Sequence, residues 1–77
     1  MKSNYKESDA FLLHATKFKE TSLLCVFFSK EFGKVSAVAK GARSKKSKFQ
    51  ALTVPGAIFK IAFSGKNELK TLTSCES

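Results

Sequence analysis

Short apolar runs recur about every dozen residues along this chain, each closed off by polar residues or glycine. That spacing predicts a small all-β sandwich or barrel. The first run, Ala10–Ala15, alternates imperfectly, with Phe11, Leu13 and Ala15 on one face and Leu12 and His14 on the other. The second, Ser22–Ser29, is apolar on both faces, as a strand covered on two sides would be. The third, Lys34–Lys40, sets Val35, Ala37 and Ala39 against Lys34, Ser36, Val38 and Lys40. Lys30-Glu31-Phe32-Gly33 between the second and third predicts a tight hairpin, with glycine where φ must be positive. A fourth strand over Ala57–Phe63 turns Ala57, Phe59, Ile61 and Phe63 inward and Lys60 outward. Ser64-Gly65-Lys66-Asn67 is the next turn, and a fifth strand covers Leu69–Ser74.

Lys45–Leu52 is the exception to the strand pattern. Phe49 and Leu52 stand at helical i, i+3 spacing, Ser44 or Ser47 offers a cap, and Pro55-Gly56 stops the segment. Three strands, a short helix and two strands is the element order of the OB-fold, a five-stranded, partly open barrel whose strand 2–3 face and 1–2 and 4–5 loops bind oligonucleotides. SH3-like barrels compete, but the helical segment between strands three and four favours the OB-fold. Phe11, Phe27, Phe28, Phe59 and Phe63 are read as core.

Charge adds a direction to this. The chain of 77 residues carries 14 Lys and Arg against six acids, a net charge of +8, which points to a polyanionic partner. More than half of that excess lies in Lys40–Lys48, KGARSKKSK, which holds five basic residues and no acid. The segment reads either as a solvated loop or as a phosphate-binding one, and the missing acids favour the second. Phe49, next to Lys48, and Phe18, between Lys17 and Lys19, are the aromatics best placed for bases to stack on, although the plainer reading makes both caps of the barrel ends, part of the core.

Catalytic chemistry finds no foothold. His14 is the single histidine, the six acids fall one at a time at predicted strand ends and turns, and the four glycines are isolated. Cys25 and Cys75 have neither CxxC spacing nor a histidine cluster, so no metal or other cofactor is expected. Cys25 reads as a small core residue and both thiols as free in a reducing cytoplasm. The polar MKSNYKESD start lacks a signal-peptide pattern, and the longest apolar run, Leu23–Phe28, is far too short to span a bilayer. A soluble, cytoplasmic, non-enzymatic chain without a membrane association is the expectation.

Four stretches then resemble a known family. DAFLLH (9–14), KETSLLCVFFSKEFGKV (19–35), VAKGARSKKS (38–47) and GKNELKTL (65–72) are similar to the N-terminal OB domain of the bacterial recombination mediator RecO. The resemblance implies a role in DNA repair by recombination: binding single- and double-stranded DNA, annealing complementary strands and loading the recombinase RecA. It implies RecR, in some bacteria RecF, and single-stranded DNA-binding protein as partners, acting in the bacterial cytoplasm at the nucleoid. Family DNA-binding positions carry over to Lys40, Arg43, Lys45 and Lys46. With Lys48, Lys17, Lys34 and Lys66 from the charge pattern, these complete the expected DNA-binding set. Members of the family continue into a mainly helical domain, so residues 1–77 are expected to be a single OB-fold domain at the N-terminus of a longer protein. Where the family tends towards Gln-Pro-aromatic, this chain has Leu52-Thr53-Val54-Pro55-Gly56, so no aromatic role is carried over there. Two other readings share the composition: a domain that docks an acidic partner peptide, and a basic RNA-binding barrel.

Overall fold

The computed structural model describes residues 5–44, 49, 52 and 56–76. Five strands form one closed barrel: β1 (Lys6–Phe18), β2 (Ser22–Ser29), β3 (Gly33–Ala39), β4 (Ile58–Ser64) and β5 (Leu69–Glu76). Their order around the barrel is β1-β2-β3-β5-β4, with β4 pairing back onto β1. Every pairing is antiparallel except β3 with β5, which is parallel. This is the five-stranded OB-fold expected from the order of apolar runs. The predicted helix falls largely outside the described residues. At its end the Leu52 N–H donates to the Phe49 carbonyl at 3.0 Å, one helical-type turn.

β1 is 13 residues long and serves two neighbours. Its first half pairs with β4 and its second with β2, the two registers overlapping at Ala10 and Phe11. A single strand can do this only if it bends, and the bend is a bulge: Leu12 faces Phe27 and His14 faces Val26, so Leu13 has no cross-strand partner. The extra residue reverses the facing of the rest of the strand. Ala15 therefore packs against the core together with Leu12, and not on the outer side with Phe11 and Leu13 as strict alternation would have it. Glu7 and Asp9, expected at a strand end or turn, lie within this longer strand.

The core joins Leu12, Cys25, Phe27, Val35, Phe59, Ile61, Phe63 and Leu72 to the small residues Ala10, Ala37 and Ala39, which let opposite walls of a narrow barrel meet. Phe49 and Leu52 complete it at 4% and 0% exposure. Two phenylalanines read as core are on the surface: Phe11 is 42% and Phe28 53% exposed. Their apolar character says nothing about which face of a strand they occupy, and the barrel turns that face to solvent. Phe11 pairs across β1 with Phe28 on one side and Ile58 on the other, leaving an apolar row on three adjacent strands. Cys25 and Cys75 are both free, and burial pushes the Cys25 thiol up to about 11.

Candidate nucleic-acid interface

Two turns at one end of the barrel are held together by a single arginine. Gly41 adopts a left-handed φ of 70°, which reverses the chain just after β3. The Arg43 N–H then donates to the Thr21 carbonyl at 2.9 Å, and its guanidinium Nη1 donates to the Glu20 carbonyl at 2.8 Å. The segment after β3 is thereby fixed to the β1–β2 turn. Arg43, expected to meet phosphate, is first a bracket between two loops, with its side chain still exposed. Across the junction Lys19, itself at a left-handed φ of 57°, places its ammonium 5.5 Å from the Phe18 ring centre.

An open cleft of about 420 Å³ runs beside this junction, lined by Phe18, Lys19, Lys40, Leu69 and Lys70 among others. A second and larger cleft, about 860 Å³, lies between the β2–β3 turn and the β4–β5 loop. The core residues Val35 and Phe63 reach its lining, and Lys6, Lys34, Lys66 and Lys70 bring positive charge to it. Glu68 is its only acid among the described residues. Lys70 borders both clefts and donates from Nζ to the Gly65 carbonyl at 3.1 Å, so it joins them. Gly65 holds φ at 130°, a conformation effectively reserved for glycine, and so sets the loop that presents Lys66.

The β2–β3 turn at the rim is anchored by two buried serines. Ser29 Oγ accepts from the Phe32 N–H at 2.9 Å and donates to the Gly33 carbonyl at 2.8 Å. Ser8 Oγ accepts from the Glu31 N–H at 3.2 Å, and the Lys30 N–H donates to the Asp9 carbonyl at 2.8 Å. Phe32 is thereby held beside the cleft, its ring 5.8 Å from that of Phe63 at an interplanar angle of 87°. Lys6 Nζ stands 5.8 Å from the Phe32 ring centre. On an exposed ring such a contact contributes about 0.5–1 kcal/mol and yields readily to a stronger one.

Of the residues singled out in the sequence, Lys34 and Lys66 meet in the larger cleft, and Phe18 and Lys40 in the smaller. Lys17 is exposed on β1 but lines neither. Phe49 is buried in the core, so it is not a stacking platform. Its neighbours in sequence are basic, but its helical spacing from Leu52 gives it the barrel interior. Lys45, Lys46 and Lys48 lie outside the described residues. The sequence pattern missed Lys6, Lys19, Lys70 and Phe32. For Phe32 a signal existed, since a large aromatic at a hairpin tip has little core to reach. Lys6 and Lys70 carried none, because only the strand register brings them to the cleft.

Comparison with known sequences finds one family and several relatives. The family described as Recombination protein O N terminal matches residues 1–77. The DNA repair protein RecO of Actinobacillus pleuropneumoniae serotype 5b (strain L20) is 46% identical over 66 residues, which are 86% of this chain and 28% of that protein. DNA repair protein RecO of Laribacter hongkongensis (strain HLHK9) is 39% identical over 71 residues, 92% of this chain and 29% of that protein. In Enterobacter sp. (strain 638) the protein of the same description is 44% identical over 68 residues, covering 88% and 29%. The chain thus spans little more than a quarter of the length of these relatives.

Proposed function

The chain belongs to the family of RecO N-terminal domains, and from that premise we propose that it is a non-catalytic DNA-binding module of a bacterial recombination mediator. The observation that carries the reading is the pair of basic clefts joined at Lys70. Lys34 and Lys40 stand six residues apart on or beside β3, which separates them by roughly 20 Å of extended chain. Lys6, Lys66 and Lys70 line the larger cleft with Lys34, and Lys19 and Lys70 line the smaller with Lys40. A strand following the two clefts meets one ammonium after another and releases counterions at each phosphate. Contacts of this kind position a backbone and read no sequence. Arg43 fixes the geometry of the smaller cleft, and Lys45, Lys46 and Lys48, which come after it in the chain, extend the phosphate contacts.

Neutralised phosphates also lower the repulsion between two complementary strands, which is what annealing requires. In the whole protein this module works in the cytoplasm on nucleoid DNA, with RecR, RecF in some bacteria, and single-stranded DNA-binding protein as partners in loading the recombinase. Residues 1–77 form its OB-fold domain.

The test is fluorescence anisotropy of a labelled oligonucleotide of about 20 bases, single-stranded and duplex, at several salt concentrations. Neutralising about five phosphates gives a slope of log K against log salt of roughly −3.5 for single strands. The pair Lys34→Glu and Lys66→Glu should weaken binding to every sequence alike. Unchanged affinity in that variant would remove the cleft from the interface, and no binding at low salt would end the reading. An acidic peptide that displaces the oligonucleotide without itself resembling nucleic acid would assign the clefts to a protein partner.

A further inference from the structure

The lysines account for attraction to any phosphate backbone, but they leave Phe32 unexplained. It is a large apolar side chain, 42% exposed, at the tip of a hairpin, where a polar residue would keep the turn equally well. The turn beneath it is fixed from two sides, by Ser29 and by Ser8 and the Asp9 carbonyl, and its ring meets Phe63 edge to face. Four ammonium groups, of Lys6, Lys34, Lys66 and Lys70, line the same cleft. A rigid exposed aromatic surrounded by cations matches the two halves of a nucleotide, a flat base and a charged phosphate. It matches neither a bare phosphate nor an acidic peptide as well.

We propose that Phe32 is a base-stacking platform and that the larger cleft takes single-stranded nucleic acid, one unstacked base lying against this ring. The proposal rests on the nucleic-acid reading above and adds strand preference to it. In a duplex each base already stacks on its neighbours, so no free face is offered to Phe32. The lysines serve both forms, and the ring serves one. When a base enters, the Lys6 ammonium leaves the ring for a phosphate, so that charge is retained at the site. This residue sets the preference for single strands, whereas the lysines set the affinity common to both forms.

Two variants of the full 77-residue chain test this. Phe32→Leu keeps an apolar contact with Phe63 but removes the aromatic face. It should weaken binding of an oligothymidine 20-mer about tenfold and leave affinity for a duplex 20-mer unchanged. The chain contains no tryptophan, so Phe32→Trp supplies a single indole reporter. Its emission should be quenched when the oligothymidine binds and stay nearly constant with duplex. Equal losses for both forms in Phe32→Leu, no loss in either, or an unquenched indole under saturating single strand would each overturn the stacking role. In those outcomes the lysine clefts still stand as the DNA interface. A wild-type chain that binds neither form at low salt overturns both.

Discussion

Replacing Ser29 with alanine removes one oxygen from a position that is 1% exposed, and the cost is set by the two groups which that oxygen holds. It accepts from the Phe32 N–H and donates to the Gly33 carbonyl, closing the β2–β3 turn from inside. A neutral hydrogen bond contributes about 1 kcal/mol net, and a buried group left without a partner costs about 1–3 kcal/mol. Phe32 is near solvent, so its N–H recovers water in part and the lower half of that range applies. Together the two losses amount to about 2 kcal/mol. At this chain length that lowers the thermal midpoint by roughly 8–16 °C. Ser8→Ala is the internal comparison. Its Oγ accepts a longer bond from the Glu31 N–H and donates to the neighbouring Asp9 carbonyl at 2.9 Å. That carbonyl keeps the Lys30 N–H as a partner, so about 1 kcal/mol and half the shift are expected. Thermal melts and urea titrations of the three proteins measure this, with an unchanged m-value confirming that only stability moved. The turn also carries Phe32, so single-strand affinity should fall with Ser29→Ala while duplex affinity holds. A midpoint for Ser29→Ala within about 2 °C of the parent, or less displaced than that of Ser8→Ala, would refute the view that this buried hydroxyl sets the turn.

Arg43→Lys keeps the net charge but cannot reproduce the reach of Nη1 to the Glu20 carbonyl, so it should cost most of the DNA affinity that Arg43→Ala costs. Anisotropy titrations compare the two, and a lysine variant that binds like the parent would make Arg43 a simple point charge. The raised Cys25 thiol ties stability to pH: the folded chain keeps its proton to about 11, whereas the unfolded thiol begins to release it near its ordinary value of 9.0. Stability is therefore full below about pH 9 and falls as the pH rises towards 11. Burial also pushes the Cys75 thiol up, to about 12, so Cys25→Ala should remove part of that slope and the double change of Cys25→Ala with Cys75→Ala more of it, in urea midpoints measured across the range.

The strands are legible in the sequence because each one alternates or fills with apolar residues between glycines and polar clusters. β2 carries the same boundaries in sequence and structure, and Gly33 takes the positive φ that its place in the turn demands. Only Ala10–Ala15 of β1 stands out in the sequence, because Lys6 to Asp9 and Thr16 to Phe18 are mostly exposed and leave no apolar pattern. The bulge at Leu13 has no sequence signature at all, since it answers to barrel closure, a constraint imposed by β2 and β4 from opposite sides. Phe11, Phe28 and Phe49 show the limit of hydrophobicity as a guide. It predicts that a residue prefers burial, but the closed barrel decides which face is inside, and it placed Phe49 in and the other two out.

The candidate site divides along the same line. Lys34, Lys40 and Lys66 are visible as charges at strand ends and turns, where a local reading suffices. Lys6 and Lys70 belong to the site because Lys6 is opposite Phe63 and Lys70 opposite Ala37. The first of these pairings, between β1 and β4, is the least local pairing of the barrel, and the second is the parallel one between β3 and β5. That pairing seats β5 next to β3 and so makes Lys70 common to the two clefts. A change that loosens the β3–β5 seam would therefore disturb both clefts together, whereas a change in either flanking turn would disturb only one. The basic tract is what the sequence makes most conspicuous, but it is the register that builds the cleft in which Lys6, Lys34, Lys66 and Lys70 meet.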